Sequence, residues 1–178
     1  MGTKNLDLKT HLKNSKSKNL NTFLKAYDVY PNDWIKRSID KGNLSLKSVK
    51  RGYYDDKKGI IALSGNGNEQ IFATAIHELG HRYYQVVIEK IAENKGISYN
   101  RAKELIEEPI NKYILNISKI GYESIDMYIS SYAYTKYIHN NREELFAETF
   151  TLWNNIDENN LLANYIKKVL NDNEISKS

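Results

Sequence analysis

No cysteine occurs among the 178 residues, so the chain forms no disulfide and offers no thiolate to a metal. Either redox compartment suits such a chain. No apolar run approaches the roughly 18 residues that a membrane helix needs, so no membrane span is expected. Residues 1–20 are polar and lysine-rich, without the apolar stretch of a secretory leader. A cytoplasmic location is therefore expected for the chain as it stands, or a secreted one for a mature domain whose leader has been removed. A large excess of one charge sign is also lacking, with a net +4 from 26 basic and 22 acidic residues. The early lysines (Lys4, Lys9, Lys13, Lys16, Lys18) are interleaved with Asn and Ser and not with stacking aromatics. They read as a solvated surface, and no nucleic-acid partner is expected.

Histidine is nearly as rare, with four in all. Two of the four fall in His77-Glu78-Leu79-Gly80-His81. An α-helix advances about 100° per residue, so His77 and His81 lie one turn apart on the same face. Two imidazoles placed this way can bind one Zn²⁺ from the same side. Glu78 adjoins the first of them, where its carboxylate can take a proton from a water activated there. The flanking Thr74, Ala75, Ile76, Leu79 and Gly80 are uncharged, as suits a helix buried beneath a site. Arg82 departs from that pattern.

Two histidines leave a zinc site incomplete. With no cysteine available, carboxylates are the candidates, and Glu144 and Glu148 share a helix face at i, i+4. One of them can bind the metal while the other orients a histidine through its free ring nitrogen. Phe146, Phe150 and Trp153 take core spacing on another face of the same helix. His139 reads as a loop residue.

These pieces resemble the zinc metallopeptidases of the anthrax lethal factor type, which include the Pro-Pro endopeptidases. The matching segments are His77-Glu-Leu-Gly-His81, Tyr137, and Glu144-Leu-Phe-Ala-Glu148 followed by Thr-Phe. Arg51-Gly-Tyr-Tyr54 and Gly59-Ile-Ile-Ala-Leu63 look like the hairpin that precedes the zinc helix in that family. The resemblance implies one Zn²⁺ per chain on His77, His81 and Glu144, with Glu78 as general base. It implies that Tyr137, seven residues before Glu144, donates its phenol to the oxyanion, and that Glu148 is the carboxylate behind a ligand. The implied activity is zinc-dependent hydrolysis of peptide bonds, with a peptide or protein as substrate. A non-catalytic alternative is an interaction module of the same fold in a toxin or phage assembly. Tyr132 and Tyr134 compete for the role of Tyr137. The stretch between His81 and Glu144 is longer than in compact members, suggesting an inserted helical segment.

The expected fold is α+β: a mostly helical, zincin-like domain with a small hairpin or sheet over the active-site helix. Residues 1–45 are expected as an N-terminal helical segment and 46–178 as the metallopeptidase domain, together one compact unit. Residues 1–17 look loosely ordered. Leu20, Phe23, Leu24 and Tyr27 keep a helical period that stops before Pro31, and Asn32 or Asp33 is expected to cap a short helix ending near Gly42. Residues 46–54 read as one strand, 55–59 as a turn and 59–63 as a second strand. If that second strand lies at a sheet edge, Ile60, Ile61, Ala62 and Leu63 can pair with an extended peptide. Residues 64–68 read as a flexible link into a zinc helix running from Glu69 to about Ala92 and ending near Gly96. Ser98 is expected to cap the next helix, Pro109 to kink or restart it, and 130–134 to be irregular. The ligand helix is expected over 142–154, followed by a last amphipathic helix carrying Leu161, Leu162, Tyr165, Ile166, Val169 and Leu170.

Overall fold

Leu20, Phe23 and Tyr27 share one helix face, and that face is buried. They belong to a computed structural model that describes residues 12–13, 19–42, 44–49, 51–63 and 67–175. Most of the expected loose segment 1–17 lies outside the described residues, as do 64–66 of the expected link. The first elements are β1 (Leu12–Lys13), α1 (Leu20–Tyr27) and α2 (Asn32–Lys41). Pro31 is the N-cap of α2, and no side chain caps it. Asn32 and Asp33 are thus helical residues and not caps; a proline fixes its own φ at a value suited to helix entry. Gly42, at φ +73°, ends α2 in a conformation that a side chain would strain.

The expected single strand over 46–54 is two strands, β2 (Leu44–Ser48) and β3 (Tyr53–Asp55). They flank β4 (Ile60–Leu63) on opposite sides, in the sheet order β1-β2-β4-β3. β2 runs parallel to β4, with Leu46 opposite Ile61, and β3 runs antiparallel to it, with Tyr54 opposite Ile61. Asp55 closes the β3–β4 turn: its Oδ1 accepts from Lys57 N (3.1 Å) and Lys58 N (3.0 Å), and Gly59 follows at φ +67°.

Two compact units divide the chain, residues 1–86 and 87–178, and the division falls inside α3 (Asn68–Lys95). In the first unit Tyr83 of α3 lies at the centre of an aromatic core. Its ring centroid is 4.3 Å from Tyr30, 5.9 Å from Tyr27 and 6.3 Å from Trp34. The Tyr30 hydroxyl donates to the carbonyl of Ile76, one residue before His77, at 2.5 Å. Burial pushes the hydroxyls of Tyr27, Tyr30 and Tyr83 above the ordinary phenol value of 10, and the nearby Arg82 charge opposes this only in part for Tyr27 and Tyr83. An unfolded chain gives up these protons near pH 10 while the folded one retains them. Their contribution to stability is therefore complete below about pH 10 and shrinks as pH rises further, by up to about 1.4 kcal/mol per pH unit per tyrosine. The urea midpoint should fall steeply between pH 10 and 11.5; a flat profile there would show that these phenols are not held neutral.

α3 ends where expected. Ile97 N bonds Ala92 O (3.0 Å) and Gly96 N bonds Glu93 O (3.4 Å), with Gly96 at φ +63°. This closes the last carbonyls as a left-handed glycine cap does.

The second unit continues with α4 (Tyr99–Ile117), α5 (Glu123–Tyr128), α6 (Ser131–Ile138), α7 (Glu143–Phe150) and α8 (Leu161–Ile175). Ser98 caps α4 by accepting from Arg101 N at 3.1 Å. Pro109 does not start a new helix: α4 runs through it. An interior proline costs about 3 kcal/mol, and the buried face of Ala102, Ile106, Ile110 and Ile114, packed on α8, outweighs that. Residues 131–138 are helical and not irregular, with the Ser130 side chain accepting from Ala133 N (3.0 Å) as N-cap. The ligand helix is shorter than expected and gives way to turns after Phe150. Leu162, Ile166, Val169 and Leu170 are buried, whereas Leu161 is exposed and Tyr165 stacks on Tyr113 at 3.9 Å. The fold is mostly helical with one small mixed sheet, which is α+β. No helix among the described residues is long and apolar enough to cross a membrane.

Candidate metal centre

His77, Glu78 and His81 occupy consecutive turns of α3. Their helix is fixed in rotation by what lies on either side of them in sequence. Tyr30 holds the Ile76 carbonyl, and Arg82 is fully buried. Arg82 Nε donates to Ser38 Oγ (2.5 Å), Nη2 to the carbonyls of Ser38 (2.8 Å) and Gly42 (2.7 Å), and Nη1 to Tyr54 Oη (3.2 Å). Tyr54 donates onward to Gln85 Oε1 at 2.8 Å. The arginine that departs from the motif's usual uncharged neighbour is thus the bolt that ties α3 to the end of α2 and to β3. Buried charge is tolerated only where its hydrogen bonds are made, and here four are.

The two imidazoles stand edge to face, with ring centroids 5.1 Å apart and planes at 78°. Both are half-buried, and Glu78 beside them is buried. Glu144 stands in the first turn of α7, where the helix dipole favours a carboxylate. One ligand atom from each of His77, His81 and Glu144 lies within 4.8 Å of the other two, and this group can hold a metal ion. Two imidazole nitrogens and one carboxylate oxygen are a donor set that suits Zn²⁺. No other such group of His, Asp and Glu occurs among the described residues.

The remaining expected residues have definite places. Glu148 Oε1 accepts from the Ser130 hydroxyl at 2.8 Å, so the residue that caps α6 also holds this carboxylate. Tyr137 is buried near the end of α6, its ring 5.0 Å from Tyr122 and 5.3 Å from the Arg142 guanidinium. Its hydroxyl donates to Asn111 Oδ1 at 2.7 Å. Burial raises its pKa above the ordinary phenol value, opposed in part by Arg142, so it stays a neutral donor across any working pH. Tyr132 is exposed with Lys136 over its ring, and His139 is the exposed C-cap of α6, its Nδ1 within 2.7 Å of the Thr135 carbonyl.

One site expectation is corrected. Ile60, Ile61, Ala62 and Leu63 are not at a sheet edge. β4 is interior, with β2 paired along one side and β3 along the other, so its backbone groups are not open to an extended peptide. The edge positions belong to β1 and β3.

Sequence reasoning passed over Asn111 and the burial of Arg82. Their partners lie 26 to 44 residues away in sequence, beyond any local pattern. Ser130 was within reach, since a serine before Ala133 and Tyr137 at i, i+4 spacing is a helix-start signal.

Comparison with protein-family profiles, with curated proteins and with solved structures returned no match.

Proposed function

We propose that this chain is a zinc-dependent endopeptidase of the kind its motifs resemble, the lethal factor-type metallopeptidases. The observation that carries the reading is the convergence of His77, His81 and Glu144 donors within 4.8 Å beside the buried Glu78 carboxylate. A Zn²⁺ bound there supplies Lewis-acid polarisation of a peptide carbonyl and acidifies water. Everything else falls to the chain. Glu78 accepts a proton from the attacking water and passes it to the leaving amine. Tyr137 offers a neutral phenol to the developing oxyanion, a contribution of a few kcal/mol if it behaves as other oxyanion donors do. Glu148, held by Ser130, orients a ligand histidine, as carboxylates behind metal ligands do.

Substrate is expected to be an extended peptide. The test is unbiased cleavage of a proteome-derived peptide library by the pure, zinc-loaded protein, with and without a chelator. Cleavage that stops with chelator and returns with added zinc is the expected outcome. No cleavage in any peptide by a protein carrying one zinc per chain would sink the enzymatic reading and leave a binding module.

A further inference from the structure

The hydrogen bond between Tyr137 and Asn111 presents a conflict that the expected role must resolve. A phenol has one proton to donate. Here it goes to Asn111 Oδ1 at 2.7 Å, so the same hydroxyl cannot also donate to an oxyanion. Asn111 lies on α4, within the long segment between His81 and Glu144. Among the described residues its side chain makes no other hydrogen bond, and none of them accepts from Nδ2. Tyr137 itself is fixed in place by Tyr122 and Arg142 against its ring, so the phenol oxygen stays put while its proton turns.

We propose that Asn111 is a two-position latch on Tyr137, holding the phenol proton through Oδ1 at rest and releasing it by turning its amide over. Rotation by half a turn about Cβ–Cγ brings Nδ2 to where Oδ1 stood. That torsion joins sp³ and sp² atoms, has a broad two-fold profile, and so turns readily. Nδ2 then donates to the phenol oxygen, which accepts while its own proton points away towards a new acceptor. No bond is made or broken other than hydrogen bonds. The turned amide also favours the phenol's donation, because hydrogen bonds in a chain polarise one another. Asn111 is thus a positioning residue acting through Tyr137, and the inference rests on the oxyanion role proposed for that tyrosine.

The two halves separate experimentally, using the best-cleaved peptide of the library. Tyr137→Phe should lower kcat roughly 10²- to 10³-fold if the phenol serves the oxyanion. Asn111→Asp keeps the shape and the acceptor but has no donor, so it pins the proton. Its kcat should approach that of Tyr137→Phe, with KM nearly unchanged. Asn111→Leu removes both functions and frees the proton; its loss should be smaller, about five- to ten-fold, as for one ordinary hydrogen bond. A purely structural role for Asn111 predicts the opposite order, since Asp preserves the contact and Leu destroys it. Adding Asn111→Asp to Tyr137→Phe should cost nothing further. Leu falling below Asp would overturn the latch while leaving the tyrosine's role standing. An unchanged kcat in Tyr137→Phe would instead remove the tyrosine's role and the latch with it. Should the Asp variant fail to fold, the side-chain amide ¹⁵N–¹H signals of Asn111 in the wild-type protein decide the matter. A phosphinic peptide that mimics the tetrahedral state should shift one of the two protons downfield, and an unchanged pair would overturn the latch.

Discussion

Glu78→Gln should lower kcat by about 10³-fold or more, at the upper end of what general-base removal costs, while the protein still binds one zinc. Glutamine has the shape of glutamate and fits the same buried place on α3. It does not alter His77, His81 or Glu144, so the metal-binding group remains. It cannot take up a proton at neutral pH, and proton uptake from water is the whole task assigned to this side chain. The two readouts must be made on one preparation: metal content by mass spectrometry and kcat on the best library peptide. Full zinc with lost turnover is the expected pair. Turnover within ten-fold of wild type would remove Glu78 from the chemistry, whatever the metal content.

Arg82→Met should destabilise the first unit by about 3–5 kcal/mol, seen as a lower urea midpoint in metal-free protein. The size follows from what is left behind. The carbonyls of Ser38 and Gly42 and the Ser38 hydroxyl all accept from the guanidinium, and all lose their donor together. An unsatisfied buried acceptor costs about 1–3 kcal/mol, and the backbone carbonyls have no means of being replaced by apolar groups. Lysine should rescue little, because a point-like ammonium cannot span acceptors arranged for a planar fork. Arg82 directly follows His81, so loosening it should also weaken zinc binding in those molecules that remain folded. A loss of less than about 1 kcal/mol would mean that water enters and satisfies the orphaned groups.

The histidine pair is legible in the sequence because its logic is local. Two histidines one turn apart need only the helix period to meet. The ends of α3 were legible for the same reason, since Gly96 closes its carbonyls within five residues. Glu144 required the added premise that a metal site needs a third ligand, and the structure brings it to the pair. What stayed hidden is non-local. The run 46–54 looks continuous, yet it contributes strands to both sides of β4, and only the later segment 60–63 decides the pairing. The penalty of Pro109 is local, whereas the buried face of α4 that overrides it is a matter of packing. Arg82 looked like a departure from the motif because its acceptors belong to residues 28 to 44 positions earlier in sequence. The segment 130–134 reads as irregular because tyrosine and serine are weak helix formers, whereas the Ser130 cap starts a helix there.

The central claim is a single zinc ion shared by His77, His81 and Glu144. Anomalous diffraction at the zinc absorption edge, from crystals of the zinc-loaded protein, tests it most directly. The account predicts one strong peak about 2.0–2.2 Å from an imidazole nitrogen of each histidine and from a Glu144 oxygen, lost or displaced in Glu144→Ala. A peak elsewhere in the protein, or one between the histidines with Glu144 outside its coordination sphere, would contradict it.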